Sequence, residues 1–418
     1  MKVTLSNIAM GYLYLSIIFT ETYIFVSWLQ TITLLNYFLI FIYLLLIRKK
    51  TEVDKKIKKI KKVLFIFIFY ILFVNLYQNT LQKALSIFIT TLPIPFLLEI
   101  FSVIKEKEKV LFKFIKFFLV FNLIFSLLQM GGIFITSNSL IAQIPFFGTD
   151  RGFVGFSSQG LRISGAGSST IGLALMLGLI FLIVFFYRKS VYLTYKEKKL
   201  FFVLLIILIF LTQTRSLILS LPLVIIVTNL FLSKNIIKGI LISLLISISI
   251  SLAFYFSLPI LKELFPRLFL SADVDTSIVH RIQANVYGVI GTYELSPWIG
   301  IPFKDALKAI EVGYNKLGLF IGNYFIDEVT YHNQLAFFFR IYGFIGLFLY
   351  LYLIFSLLKV SFSLKHEIYR KIVFSIVLYY FLYTLSHNNK WTMDYYLWVI
   401  LGIFIGLGGK DEKNQNRI

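Results

Sequence analysis

Apolar runs of membrane-crossing length recur along this chain from one end to the other. Crossing a hydrocarbon layer about 30 Å thick takes about 20 apolar helical residues, and stretches of that kind fill most of the 418 residues. The hydrophobic share is 58% and the charged share 15%, against about 45–50% and about 25% in a soluble domain. No soluble core could bury so many runs. Within a bilayer the backbone must satisfy its own polar groups, which helices do. The fold expected is therefore an all-α integral membrane protein, one polytopic domain over 1–418. Lys2 precedes an apolar stretch with no small-x-small site before the next span, so a cleavable signal peptide is not expected.

The net charge of +21 is explained by where the basic residues lie. They concentrate in short loops at 48–62 (RKKTEVDKKIKKIKK), 105–109, 188–199, 234–238 and 359–371, and in the tail after Gly409. That is the positive-inside pattern. Attraction to anionic lipid headgroups accounts for it without a nucleic-acid partner. The segments 131–161 and 259–332 are poor in Lys and Arg and are expected on the opposite side. Counting apolar runs gives about twelve spans, near 7–25, 28–47, 63–79, 82–103, 110–130, 163–187, 199–213, 216–233, 239–257, 334–356, 371–387 and 392–409. Both termini come out cytoplasmic, and a long periplasmic loop, 258–333, separates spans nine and ten.

One boundary needs an argument. The stretch 200–233 would be about 51 Å long as a single helix at about 1.5 Å per residue, too long for one crossing. Its flanking basic loops share a side, so an even number of crossings separates them. The only polar interruption is Thr212-Gln213-Thr214-Arg215-Ser216. A tight outer-side hairpin is expected there, with Arg215 at its mouth.

The absence of cysteine excludes disulfides, thiolate metal sites and a cysteine nucleophile. The small residues at 164–172 (SGAGSSTIG) and Gly402-x-x-x-Gly406 read as helix-packing positions. Ionisable groups at membrane depth are costly and so mark functional candidates. The outer-side set comprises Glu21, Arg151, Arg162, Arg215, His280, Arg281, His332, Arg340, His387 and Asp394. Converging arginines suit an anionic ligand, because guanidinium keeps its charge and binds phosphate oxygens in pairs. A lipid pyrophosphate is the natural anion at that depth. Arg162 and Arg340 could equally be arginines that snorkel from helix ends. Arg215 stands out, since the positive-inside bias disfavours it and a small polar residue would serve the turn. A neutral His332, at the start of span ten beside Asn333, could take a proton from a hydroxyl, or could simply cap that helix. Asp273-x-Asp275 matches a short metal-and-nucleotide pattern but faces outward, where nucleotide sugars are absent. No metal site is expected.

Four local patterns then resemble the O-antigen polymerase and ligase superfamily. Arg162-Ile-Ser-Gly165 opens span six as the family's R-x-x-G does, and Thr212-Gln-Thr-Arg215-Ser216 is similar to its T-x-S-R turn. Arg281 begins RIQANVYGVIGTYELSPWIGIPF, similar to the family's arginine, aromatic helix and Pro-x-x-Gly turn. Gly300-Ile-Pro302 departs from the family's G-x-G. His332-Asn333-Gln334, followed by Gly343 and Gly346, resembles its H-N helix entry. The patterns cover roughly 160–355, and the first five spans rest on topology alone.

The resemblance implies a GT-C-like membrane enzyme of the bacterial inner membrane. It would transfer glycans at the periplasmic face without metal, nucleotide or other cofactor. The donor would be an oligosaccharide on undecaprenyl pyrophosphate. Arg215 and Arg281 would hold the pyrophosphate, assisted by Arg162 and Asn333, and His332 would activate the acceptor hydroxyl. A polymerase, joining repeat units of O-antigen or capsule type, would be expected to work with a polysaccharide co-polymerase that sets chain length. A ligase would pass the glycan to lipid A–core instead. A lipid-linked oligosaccharide flippase or other transporter is the competing class. It would place its charges near the midplane of two related halves, and the halves here look dissimilar.

Overall fold

The computed structural model describes residues 4–21, 28–46, 53–134, 170–187, 192–233, 237, 239–241, 245, 276–318, 333–386 and 395–409. These residues are helical, with no β-strand among them. The helices are α1 (Leu5–Glu21), α2 (Trp28–Leu46), α3 (Lys55–Gln78), α4 (Leu81–Thr91), α5 (Pro93–Val103), α6 (Lys107–Phe134), α7 (Thr170–Phe186), α8 (Tyr195–Thr212) and α9 (Arg215–Leu232). After them come α10 (Thr276–Leu295), α11 (Ala306–Leu317), α12 (Gln334–Phe362), α13 (Glu367–Ser386) and α14 (Tyr395–Gly408).

Six helical segments are long and apolar enough to cross a membrane: Lys55–Gln78, Leu81–Val103, Lys107–Leu127, Arg215–Leu232, Gln334–Phe362 and Glu367–Ser386. Shorter apolar segments lie at Leu5–Ile18, Ile32–Leu45, Ile171–Phe186 and Tyr395–Gly408. The surface is as greasy as a lipid-facing surface must be, with Leu34, Leu219 and Phe348 each about two-thirds exposed or more. Together these helices point to a multi-pass membrane protein. The ninth expected span, 239–257, falls almost wholly outside the described residues.

Polar side chains fix the helices where the sequence changes character. The apolar stretch 200–233 is broken at its polar interruption: α8 stops at Thr212, and α9 starts at Arg215. At the other end of α8, Thr194 and Glu197 form a reciprocal capping box. The Lys116 ammonium, hydrogen-bonded to Glu197 at 2.6 Å, holds that carboxyl down to about 2, with help from the Thr194 amide and hydroxyl. Near the basic end of the bundle Glu99 is buried, where it pairs with Lys61 and accepts from the Tyr43 hydroxyl at 2.8 Å. The Lys61 ammonium also sits 4.3 Å from the centre of the Phe96 ring.

Gly402 and Gly406 let α14 lie directly on α5. A side chain at Gly402 would meet the Leu98 carbonyl, and one at Gly406 the Ser102 carbonyl. The packing role expected of this small-residue pair is met.

Part of the long loop is ordered as a helical hairpin, in which α10 packs along α11. The Tyr287 hydroxyl of α10 donates to the Gly318 carbonyl just beyond α11. The connection between the two arms, 296–305, is pressed against α12 at a point where that helix breaks.

The break is at Gly343, whose φ of 64° and ψ of −166° are not helical. Broken helices leave backbone groups that must find new partners, and here the loop and α3 supply them. The Phe344 amide donates to the Pro297 carbonyl at 2.8 Å, the Ile345 amide to Trp298 at 3.4 Å, and the Ile301 amide to the Arg340 carbonyl at 2.8 Å. From α3, Gln78 Nε2 donates to the carbonyls of Ile299 and Ile341, and the Tyr70 hydroxyl to that of Tyr342. Gly300 is left-handed at φ 73°, and a side chain there would collide with the Ile341 backbone. A side chain at Gly343 would meet Trp298 in the same way. Two backbones approach too closely for any residue but glycine.

Candidate functional site

Of the five residues expected to bind or transfer, Arg215 and Asn333 are fully described. Arg281 is placed by its backbone. Arg162 and His332 lie outside the described residues, as do Arg151, Asp273, Asp275, His387 and Asp394.

Arg215 is the first residue of α9, and its side chain is half-buried. The turn before it is almost fully enclosed: Thr212, Gln213 and Thr214 are all buried. Gln213 adopts the left-handed conformation, φ 48°, which breaks the helical run within two residues. Thr214 occupies the N-cap, but its hydroxyl turns back to the Thr212 carbonyl at 3.4 Å and does not cap α9. The positive end of the α9 dipole and the Arg215 guanidinium therefore fall together, an arrangement suited to an anion.

Asn333 is the N-cap of α12. Its Oδ1 accepts from the Leu335 and Ala336 amides at 2.8 and 3.0 Å, and its Nδ2 donates to the Leu385 carbonyl of α13 at 2.7 Å. The capping role is thus filled by Asn333. Because both ends of its amide are committed to protein groups, Asn333 acts as a clamp that fixes where the chain leaving His332 enters α12.

The same clamp relates Asn333 to Arg215. Helix α9 packs along α13, with Phe231 at its far end against Phe374 near the start of α13. Running antiparallel, α9 then puts Arg215 at the Ser386 end of α13, the end on which Asn333 is pinned. Arg281 belongs to the first half of α10, one turn before Ala284. By helical spacing Arg281, Ala284 and Gly288 share one stripe. The last two of these touch Arg340 of α12: its Nη1 donates to the Ala284 carbonyl at 3.0 Å, and a side chain at Gly288 would overlap its guanidinium.

Arg340 itself corrects an expectation. It does not snorkel from a helix end but is completely buried, reaching the Ala284 carbonyl and, at 3.5 Å, the Ala306 carbonyl. A guanidinium donating to backbone carbonyls of both arms holds the hairpin to α12, and burial removes it from the candidate anion site.

Sequence reasoning passed over Gln334. It is fully buried, and neither its Oε1 nor its Nε2 has a partner among the described residues. A polar residue one position past Asn333 is unremarkable in a sequence, and only burial makes it notable. Among the described residues, no three His, Cys, Asp or Glu side chains gather as a metal site would require.

No protein-family model and no curated protein matches this chain. The resemblance in 160–355 therefore rests on its sequence motifs alone.

Proposed function

We propose that this protein polymerises oligosaccharide repeat units carried on undecaprenyl pyrophosphate, at the periplasmic face of the bacterial inner membrane, within a bundle of about twelve spans. The observation that carries the reading is that Arg215, at the positive end of α9, and the Asn333-clamped start of α12 both lie toward the Ser386 end of α13. Arg215 and Arg281 would hold the pyrophosphate of the donor. His332 would accept the proton of the acceptor hydroxyl as its oxygen bonds to the anomeric carbon. The bond from that carbon to the pyrophosphate oxygen would break, and undecaprenyl pyrophosphate would leave. Fixed guanidinium groups stabilise the developing charge without reorganisation. Attack opposite the leaving group inverts the anomeric centre, so a retained configuration in the new linkage would refute this mechanism.

The test is complementation of a strain deleted for this gene, scored by the length ladder of its surface polysaccharide. Arg215→Ala and Arg281→Ala should each reduce chain extension by roughly 10²–10³-fold, and His332→Ala by roughly 10²–10⁴-fold, at unchanged membrane levels. The polymerase reading expects single repeat units on the core. Long glycan stranded on undecaprenyl pyrophosphate would identify a ligase, and full ladders from all three variants would remove the site assignment.

A further inference from the structure

The tip of the α10–α11 hairpin carries a surface that transfer chemistry does not use. From Leu295 to Phe303 the chain reads LSPWIGIPF, nine residues without a charge. Charges begin only on either side, at Glu294 and Lys304, and Glu294 is neutralised by Lys316 at 2.5 Å. The tip's large side chains point outward: Trp298 is 65% exposed, Tyr293 57% and Phe303 51%. Trp298 and Tyr293 both lie edge-on to the ring of Phe344, with centroids 5.9 and 6.3 Å apart. Phe344 heads an exposed stripe down α12 that continues through Phe348, Tyr352 and Phe355.

The height of this tip can be measured from two helices. On α3, the apolar run starts at Val63 after the lysines. Gln78, which donates to the Ile299 carbonyl, stands about 23 Å further along at about 1.5 Å per residue. On α12, Ile345 donates to the Trp298 carbonyl and stands about 21 Å from Lys359 at the basic end. Both rulers place Trp298 roughly 7–9 Å below the far boundary of a hydrocarbon layer about 30 Å thick. Irregular backbone at such a depth is tolerated only where its polar groups are satisfied by protein. Here the carbonyls of Pro297, Trp298 and Ile299 accept from Phe344, Ile345 and Gln78, and Pro297 has no N–H to satisfy.

We infer that residues 295–303 form a re-entrant tip seated in the outer-leaflet half of the bilayer, with Trp298, Tyr293 and Phe303 against lipid acyl chains. Lipid is the occupant because the exposed tip is continuous with the exposed stripe of a membrane-length helix. Lys83, whose ammonium lies 5.9 Å from the Phe303 ring centre, marks the level where charge resumes. The loop is thereby anchored in lipid at its middle, while its two arms rise toward the side where Arg281 and His332 belong. The seating is independent of the reaction catalysed.

The chain contains no cysteine, so an introduced one is unique. In spheroplasts, Asn315→Cys should react with a membrane-impermeant maleimide, and Trp298→Cys should react at least tenfold more slowly. In parallel, the chain carrying Trp28→Phe, Trp391→Phe and Trp398→Phe, leaving Trp298 as the sole tryptophan and excited selectively over tyrosine, is reconstituted with lipids brominated at shallow or deep acyl positions. Quenching is expected, and stronger from the deep bromines. Equal labelling at positions 298 and 315 would overturn the inference. So would protection from maleimide without bromolipid quenching, which would mean that a second copy or another protein covers the tip. Because the fluorescence arm keeps Trp298, a folding defect of Trp298→Cys does not rescue the proposal if quenching is absent.

Discussion

Glu99 and Lys61 lie 38 positions apart and belong to different helices, yet they meet as an ion pair near the basic end of the bundle, with Tyr43 completing the carboxylate's bonds. Removing one partner of a buried pair leaves the other uncompensated, at roughly 3–5 kcal/mol. Glu99→Ala should therefore lower the midpoint of thermal unfolding in detergent by several degrees. The double variant Lys61→Met with Glu99→Leu should recover most of that loss, because apolar residues of similar volume replace both charges. If single and double variants unfold alike, the pair is not coupled and its burial is incidental. Arg340 shows the same economy of burial, since its guanidinium is held by backbone carbonyls of the hairpin. A sequence cannot distinguish such an arginine from one at a helix end, because the carbonyls that receive it are 34 and 56 residues away.

At the scale of elements, the break in α12 is the feature on which the loop depends. A helix of 29 residues that simply ran through would present Phe344 and Ile345 amides to its own preceding turn. They bond the 297–298 segment because Gly343 turns the backbone into a region that costs a β-carbon roughly 1–3 kcal/mol. Gly343→Ala should add that strain to a collision with Trp298 and so release the tip. The expected readouts are loss of at least 2 kcal/mol in stability and faster amide exchange across 296–303. A variant with unchanged exchange there would mean that α12 accepts the side chain by shifting, and that the tip is held by α3 alone. The α8–α9 junction shows the opposite case. Its break at Gln213 and Thr214 was legible, because a polar interruption stands inside an over-long apolar run, and the structure ends α8 and starts α9 there.

For the whole molecule, the distribution of basic loops makes a prediction that the bundle alone does not. Lys196→Cys and Lys234→Cys should be labelled only after the membrane is opened to a maleimide, whereas Asp273→Cys and Lys316→Cys should be labelled in intact spheroplasts. The reverse pattern would invert the orientation and move the Arg215 end to the cytoplasm, which excludes the proposed donor chemistry. Composition by itself determined that the chain is a helical membrane protein, since no other fold accommodates so many apolar runs. Length arithmetic and charge placement determined the α8–α9 break and set apart Arg215. Gly402 and Gly406 were legible as packing positions because small residues one turn apart have few other uses in an apolar helix. What the tertiary structure alone decided involves partners distant along the chain. The bond of Asn333 to Leu385, the burial of Gln334 and of Arg340 and the seating of 296–303 on the broken α12 all depend on which surfaces meet. Local pattern carries no record of such meetings. A hydrophobic run fixes that a helix buries a face, and only the neighbours that close around it fix which polar group must bond across.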